Sequence, residues 1–156
     1  MRAKTVHDWA DHARATLREE GARAGGARRA VIDLLAEQEC CLSAQEIWER
    51  LRNRKGAGSL ASVYRTVELL HELGLVQRID VGEGVARYEP ALPSGDHHHH
   101  VVCDRCGRIA AFEDEDLEEA ISSLASRLRH RVSAHEVVIH GQCPRCAPRR
   151  RSGAAA

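Results

Sequence analysis

The sequence predicts an α+β chain in which short helices are closed by a β-hairpin and followed by a second, smaller domain of strands around one helix. Three observations carry that reading. Apolar residues recur at helical spacing up to Leu73, with capping signals between the runs. The pattern then switches to two strand-like runs around Val81-Gly82-Glu83-Gly84. Finally, two Cys-x-x-Cys pairs, Cys103/Cys106 and Cys143/Cys146, bracket the last third of the chain.

A first helix is expected over Thr5–Glu19, stopped by Gly21. The second, Ala27–Gln38, carries Ala30, Val31, Leu34 and Leu35 on one apolar face. Ser43 is a good N-cap for the third, "AQEIWERLRNR", and Glu46 three residues on completes a capping box, with Ile47, Trp48 and Leu51 inward. Ser59 or Ser62 caps the fourth, "SLASVYRTVELLHELG", whose core face is Val63, Val67 and Leu70 and whose stop is Gly74. The glycines of "LVQRIDVGEGVARYEP" suit a hairpin turn.

Helices followed by a small hairpin make a winged helix-turn-helix, and its recognition helix would lie in a DNA major groove. The fourth helix would turn Ser59, Ala61, Ser62, Tyr64, Arg65 and Thr66 outward. These supply short polar groups for phosphates, one arginine for phosphate or guanine, and one tyrosine for stacking or a thymine methyl. The net charge is zero, yet Arg50, Arg52, Arg54, Lys55 and Arg65 form a stretch without an acidic residue. Arg23, Arg28 and Arg29 form a second basic cluster, and Arg145 with Arg149, Arg150 and Arg151 a third. Local basic stripes attract phosphate even on a neutral protein, although taken alone they are weak evidence and a solvated face accounts for them better.

The turn-rich "PALPSGD" reads as a hinge, giving a DNA-binding domain at 1–89, a hinge at 90–96, a metal-binding domain at 97–147 and a basic, disordered tail at 148–156. Strands are expected at "HHHHVVC", "RIAAFE" and "RVSAHEVVIHGQC", with a helix over Asp114–His130 that stripes Leu117, Ile121, Leu124 and Leu128 along one side. So small a domain buries little core by itself, and metal, dimerisation or both should supply the deficit. No apolar run approaches the ~20 residues that span a bilayer. The first residues lack the apolar core of a signal peptide, so a cytoplasmic protein is expected. In that compartment paired cysteines hold metal more often than they form disulfides.

Cys103, Cys106, Cys143 and Cys146 have the spacing of two thiolate knuckles closing one tetrahedral structural zinc site. The run His97–His100 stands three residues ahead of the first knuckle. On a strand His97 and His99 face one side and His98 and His100 the other, so the run suggests two sites sharing one strand. No G-x-S-x-G, H-E-x-x-H or phosphate loop appears, and a four-thiolate site has no open coordination position, so an enzyme is not expected.

"ASVYRTVELLHELGLVQRI", "ARYE", "DHHHHVVCDRCG" and "SAHEVVIHGQCPRC" together resemble the ferric uptake regulator family of metal-sensing repressors, over about residues 20–147. The resemblance implies a homodimer with an N-terminal winged helix and a C-terminal dimerisation domain, binding operator DNA, with metal occupancy setting the angle between the domains. It implies no membrane partner and no small-molecule substrate other than metal ions. The four cysteines match the family's structural zinc ligands. His98 and His100 match a regulatory hinge pair, and His97, His99, Glu118 and His135 match a second site in the dimerisation domain. Arg23 matches a basic position that reaches toward the minor groove, although "ARAGGARR" replaces the usual Thr and Pro ahead of the second helix and leaves that approach flexible.

Glu89 stands where iron-type members have Glu, and Cys41 where iron and peroxide sensors commonly have His. Gln77 and Ala91 stand where one zinc-type branch has Asp and Cys, so that version of the site is absent. The regulatory set is therefore read as Cys41, Glu89, His98 and His100, a donor mixture that suits tetrahedral zinc better than ferrous iron. The alternative for Cys41 is a small buried hydrophobe, the reading given to Cys40. Zinc sensing leads, a ferrous-iron sensor is the alternative, and a zinc storage or buffering protein is the rival from another class.

Overall fold

A computed structural model describes residues 2–22, 25–38, 40–54, 56, 58–82, 84–92 and 98–147, with the backbone alone at 2–7. The chain divides into two compact units, Met1–His97 and His98–Ala156.

In the first unit four helices, α1 (Arg2–Glu19), α2 (Gly26–Ala36), α3 (Ala44–Leu51) and α4 (Leu60–Glu72), precede the hairpin of β2 (Val76–Asp80) and β3 (Ala86–Pro90). Trp9, Ala13 and Leu17 of α1 fall on one stripe and are fully buried with Ile32, Leu35, Ile47, Leu51 and Leu70. The Trp9 indole donates to the Leu75 carbonyl at 2.7 Å, which satisfies a buried polar group and pins α1 to the base of the hairpin. Pro90 to Leu92, assigned to the hinge by composition, belong here. Pro90 closes β3, the Ala91 amide bonds to the Leu75 carbonyl, and Leu92 packs on the core. Residues 93–96 of the hinge and the 148–156 tail lie outside the described residues.

The capping box forms as the sequence dictates. Ser43 Oγ accepts from the Glu46 amide, and the Glu46 carboxylate accepts from the Ser43 amide at 2.8 Å. Arg87 of β3 donates to the same carboxylate at 2.6 Å. Burial works to raise the Glu46 carboxyl, but the Ser43 donors and the Arg87 guanidinium outweigh it and hold the group below its ordinary range. A strand absent from the sequence reading, β1 (Leu42–Ser43), pairs antiparallel with β3 through Leu42↔Tyr88 and Ser43↔Arg87, so the sheet runs β1-β3-β2. Two residues carry no period to detect.

The second unit holds β4 (His99–Cys103), β5 (Ile109–Phe112), α5 (Glu115–Arg127) and β6 (Val138–Gly141) in a sheet of order β5-β4-β6. β5 lies antiparallel and β6 parallel to β4. Asp114 caps α5 by accepting from the Leu117 amide. The helix stops three residues before the expected His130 because the chain turns at Arg129, whose φ is +54°. The last strand starts at Val138, not at Arg131, since the intervening segment makes no sheet pairing. No residue of α5 is buried, and Leu124 and Leu128 of its apolar stripe are 46% and 59% exposed. Val101 and Ile139, partners in register on β4 and β6, are exposed too. No helix of the described residues is long and apolar enough to cross a membrane.

Candidate metal centres and nucleic-acid face

The parallel register of β4 and β6 sets Cys103 beside Gly141, so both knuckles leave the sheet at one end. Cys103 to Gly107 turn tightly, with the Gly107 amide bonded to the Cys103 carbonyl at 2.8 Å and Gly107 at φ +68°. The second knuckle repeats that bond, the Ala147 amide meeting the Cys143 carbonyl at 2.8 Å, and the Cys146 amide donates to the same carbonyl. The sulfurs of Cys103, Cys106, Cys143 and Cys146 consequently lie within 4.8 Å of one another, and none of the six cysteines forms a disulfide. The Cys143 amide donates to Cys103 Sγ at 3.3 Å. That bond, seconded by the Cys106 amide, pulls the Cys103 thiol down to about 6. Cys143 is also lowered, because donors from Arg145 and Cys146 outweigh its desolvation. Contacts with Cys106 and Cys143 push Cys146 up to about 12.

Thirteen residues past the N-cap Asp114 would reach the end of α5; its first turn already offers Glu118 to the strand below. His99, buried at 1% exposure, places Nε2 2.7 Å from Glu118 Oε1. His135 Nε2 lies 3.2 Å from Glu118 Oε2, and its ring centroid is 5.3 Å from that of His99. The donor atoms of His99, Glu118 and His135 all lie within 4.8 Å of one another. Phe112, opposite His99 on β5, packs against the imidazole at 5.5 Å. Two imidazoles and a carboxylate form three-quarters of the expected site; His97, the fourth member, lies outside the described residues.

The other predicted set is divided between the units. In the second, the His98 and His100 rings lie 5.0 Å apart in a T-shaped pair, while His99 between them is engaged by Glu118. In the first, the pairing Leu42↔Tyr88 continues by one step to set Cys41 against Glu89, and both are buried. The Cys41 thiol is raised far above its ordinary value, first by its contact with Cys40, then by burial, and further by the charge of Glu89. Cys40 is half-buried, its sulfur 3.9 Å from that of Cys41, which corrects its reading as a buried hydrophobe.

On α4 the N-cap is Ser59, which accepts from the Ser62 amide, and the two hydroxyls lie 3.0 Å apart. Tyr64, 45% exposed, and Arg65 face solvent as expected. Thr66 does not. It is 3% exposed, and its hydroxyl donates to the Ser62 carbonyl at 2.7 Å. Position 66 completes the i, i+3, i+4, i+7 stripe of Val63, Val67 and Leu70, so helical geometry turns it inward. Arg23 lies outside the described residues. Sequence reasoning missed Arg28 as a neighbour of Arg65. Both line a cleft of about 260 Å³ with Gly25, Ala27, Ser62 and Thr66. The cleft is open because glycines let the start of α2 approach the loop before α4. A Cβ on Gly26 would lie 3.4 Å from the Gly56 backbone, and one on Gly58 only 2.9 Å from Ala27 Cβ. A side chain at Gly26 would therefore meet the Gly56 backbone at van der Waals distance, whereas Gly25 faces open space.

Residues 19–140 match the model of the ferric uptake regulator family. The ferric uptake regulation protein of Bacillus subtilis is 36% identical over 121 residues, covering 76% of this chain and 81% of that protein. Among solved structures, the ferric uptake regulator of Helicobacter pylori superposes with a TM-score of 0.80 at 24% identity, over 94% of this chain and 96% of that one. The Vibrio cholerae ferric uptake regulator gives 0.73 at 26% identity, over 83% and 98%.

Proposed function

The chain belongs to the ferric uptake regulator family of metal-responsive transcription regulators, and we propose that it is a zinc-responsive repressor that binds operator DNA as a metal-loaded homodimer. The observation that carries zinc is the buried thiol at Cys41, just before β1 and close enough to the buried carboxyl of Glu89 on the neighbouring β3 to feel its charge. Joined by His98 and His100, these residues offer one sulfur, one oxygen and two nitrogens, a set that favours tetrahedral zinc over six-coordinate ferrous iron. Cys103, Cys106, Cys143 and Cys146 would hold a second, structural zinc whose binding free energy stabilises the small sheet. Ferrous iron is the second reading, favoured by the Bacillus subtilis relative. A storage role would leave the exposed Tyr64 and Arg65 beside the Arg28 cleft without purpose.

DNA contact falls to Ser59, Ser62, Tyr64 and Arg65 on α4, with Arg23 as the minor-groove contact. Dimerisation falls to the uncovered stripe of Leu124 and Leu128, because apolar side chains left in water on a small unit favour a second copy of the same face. Glu89 and Cys41 come from one unit and His98 and His100 from the other, so a shared ion selects one arrangement of the units. His99, Glu118 and His135 lie within a single unit and have less leverage on that equilibrium.

The test is operator affinity against free zinc at fixed salt. His98→Ala and Cys41→Ser should abolish the metal response, a loss of roughly 5–150-fold in affinity if coupling is ~1–3 kcal/mol, while Glu118→Gln reduces it less. Equal losses for His98→Ala and Glu118→Gln would defeat the assignment of the switch, and a stronger response to ferrous iron than to zinc would replace the metal.

A further inference from the structure

Cys40 stands outside the ligand set that the family resemblance implies, and its geometry beside Cys41 is informative. Consecutive side chains of an extended strand point to opposite faces. Here the chain bends at Cys40, just before β1, and the two sulfurs approach to 3.9 Å. Two thiolates bound ~2.3 Å from one tetrahedral ion lie about 3.8 Å apart. The four-cysteine cluster supplies an internal standard, since Cys106 and Cys143 are separated by 3.8 Å. The two sulfurs of the first unit therefore already hold the separation that one tetrahedral ion requires. Cys41 is buried and Cys40 half-buried, so the second sulfur lies nearer to solvent than the first.

We propose that Cys40 and Cys41 together form a two-thiolate chelate in the regulatory site, with Cys40 taking the place of the Glu89 carboxylate among four tetrahedral donors, which restricts it to borderline-to-soft d¹⁰ divalent cations, zinc and its heavier analogue cadmium. This rests on the reading of Cys41 as a ligand. Binding exchanges two S–H bonds for two metal–sulfur bonds and releases two protons. Thiolate pairs stabilise such ions over ferrous and manganous ions, which prefer oxygen and nitrogen. One thiolate already favours zinc over ferrous iron, and a second strengthens that preference.

Cobalt(II) is the probe, added to full-length protein that carries one zinc per chain in the four-cysteine site. The thiolate-to-cobalt charge-transfer band at saturation counts bound sulfurs, and the histidine–carboxylate site contributes nothing to it. Cys40→Ser and Cys41→Ser should each remove half the band, and the double variant all of it. Zinc affinity of the Cys40→Ser protein should fall by roughly tenfold or more, the scale of losing even a supporting partner of a ligand. Manganese affinity should stay the same. Cys40→Ala repeats the measurement without a hydroxyl. A full band in both Cys40 variants, with none in Cys41→Ser, would overturn the chelate and leave the proposed zinc sensor standing. No band in the wild-type protein would overturn both.

Discussion

Replacing Leu124 and Leu128 together with alanine should dissociate the dimer without unfolding the chain. Leu124 and Leu128 leave 46% and 59% of their surface in water, so the pair together presents about one whole uncovered leucine. Burying a leucine side chain contributes ~1.5–3 kcal/mol, so association gains about 2 kcal/mol per protomer from these two positions. A two-fold interface uses each patch twice, which brings the gain to about 4 kcal/mol, or roughly three decades in the dissociation constant. The monomer should lose little, because these atoms have no core to leave and alanine favours the helix. Leu70→Ala, fully buried on α4, should instead cost ~2–5 kcal/mol of folding stability. Sedimentation over a range of concentrations, with helicity followed in parallel, separates the cases. A double variant with an unchanged dissociation constant would refute the assignment of this face.

Cys103→Ser or Cys143→Ser should release one zinc per chain and melt the second unit, as read by metal analysis and thermal unfolding; retained stability would remove the structural role. Arg65→Ala should weaken operator binding severely, whereas Arg54→Ala should weaken all sequences alike and flatten the salt dependence, both by gel shift across a salt series. Glu46 is held below its ordinary value of 4.5 in the folded chain, so its contribution is present above that value and lost as pH falls through the lower folded one. Glu46→Gln should therefore be less stable than wild type at neutral pH, and the gap should close as pH falls below 4.5 and through the lower folded value, measured by denaturant unfolding.

What was legible in the sequence was whatever obeys a local rule. The Ser43–Glu46 box needs only residues three apart, and the cysteine knuckles need only their own spacing and a sheet to join them. What was not legible depends on partners distant in the chain. β1 exists because Leu42 and Ser43 meet Tyr88 and Arg87, which two residues cannot announce. Thr66 was read by its polarity and turned inward by its phase, its hydroxyl satisfied one turn back. The approach of Gly26 to Gly56, 3.4 Å from where a Cβ would stand, joins residues thirty apart and has no local signal. Cys40 took its meaning from Cys41 only through a bend that composition does not encode.

The histidine run shows how a sequence without internal pattern acquires one from backbone geometry. Four identical residues carry no period, but β4 has a period of two and sorts the two it carries, His99 and His100. His99 stands opposite Phe112 on β5, which packs on its ring, and the first turn of α5 brings Glu118 to its Nε2. His100, one step on, stands opposite Ala111 and Val138, whose small or branched side chains offer no donor, and its ring pairs with His98 instead. A strand that carried histidine at alternate positions would serve one face only. Serving both lets one strand hold a site internal to its own unit while presenting two imidazoles on its other side. On the proposed two-site reading, an ion held by His99, Glu118 and His135 would restrain the strand that presents His100 on its other face. Ligands at His99 should then sharpen the response of His98 and His100 by ordering the strand that carries them, a coupling through rigidity that needs no contact between the two ions.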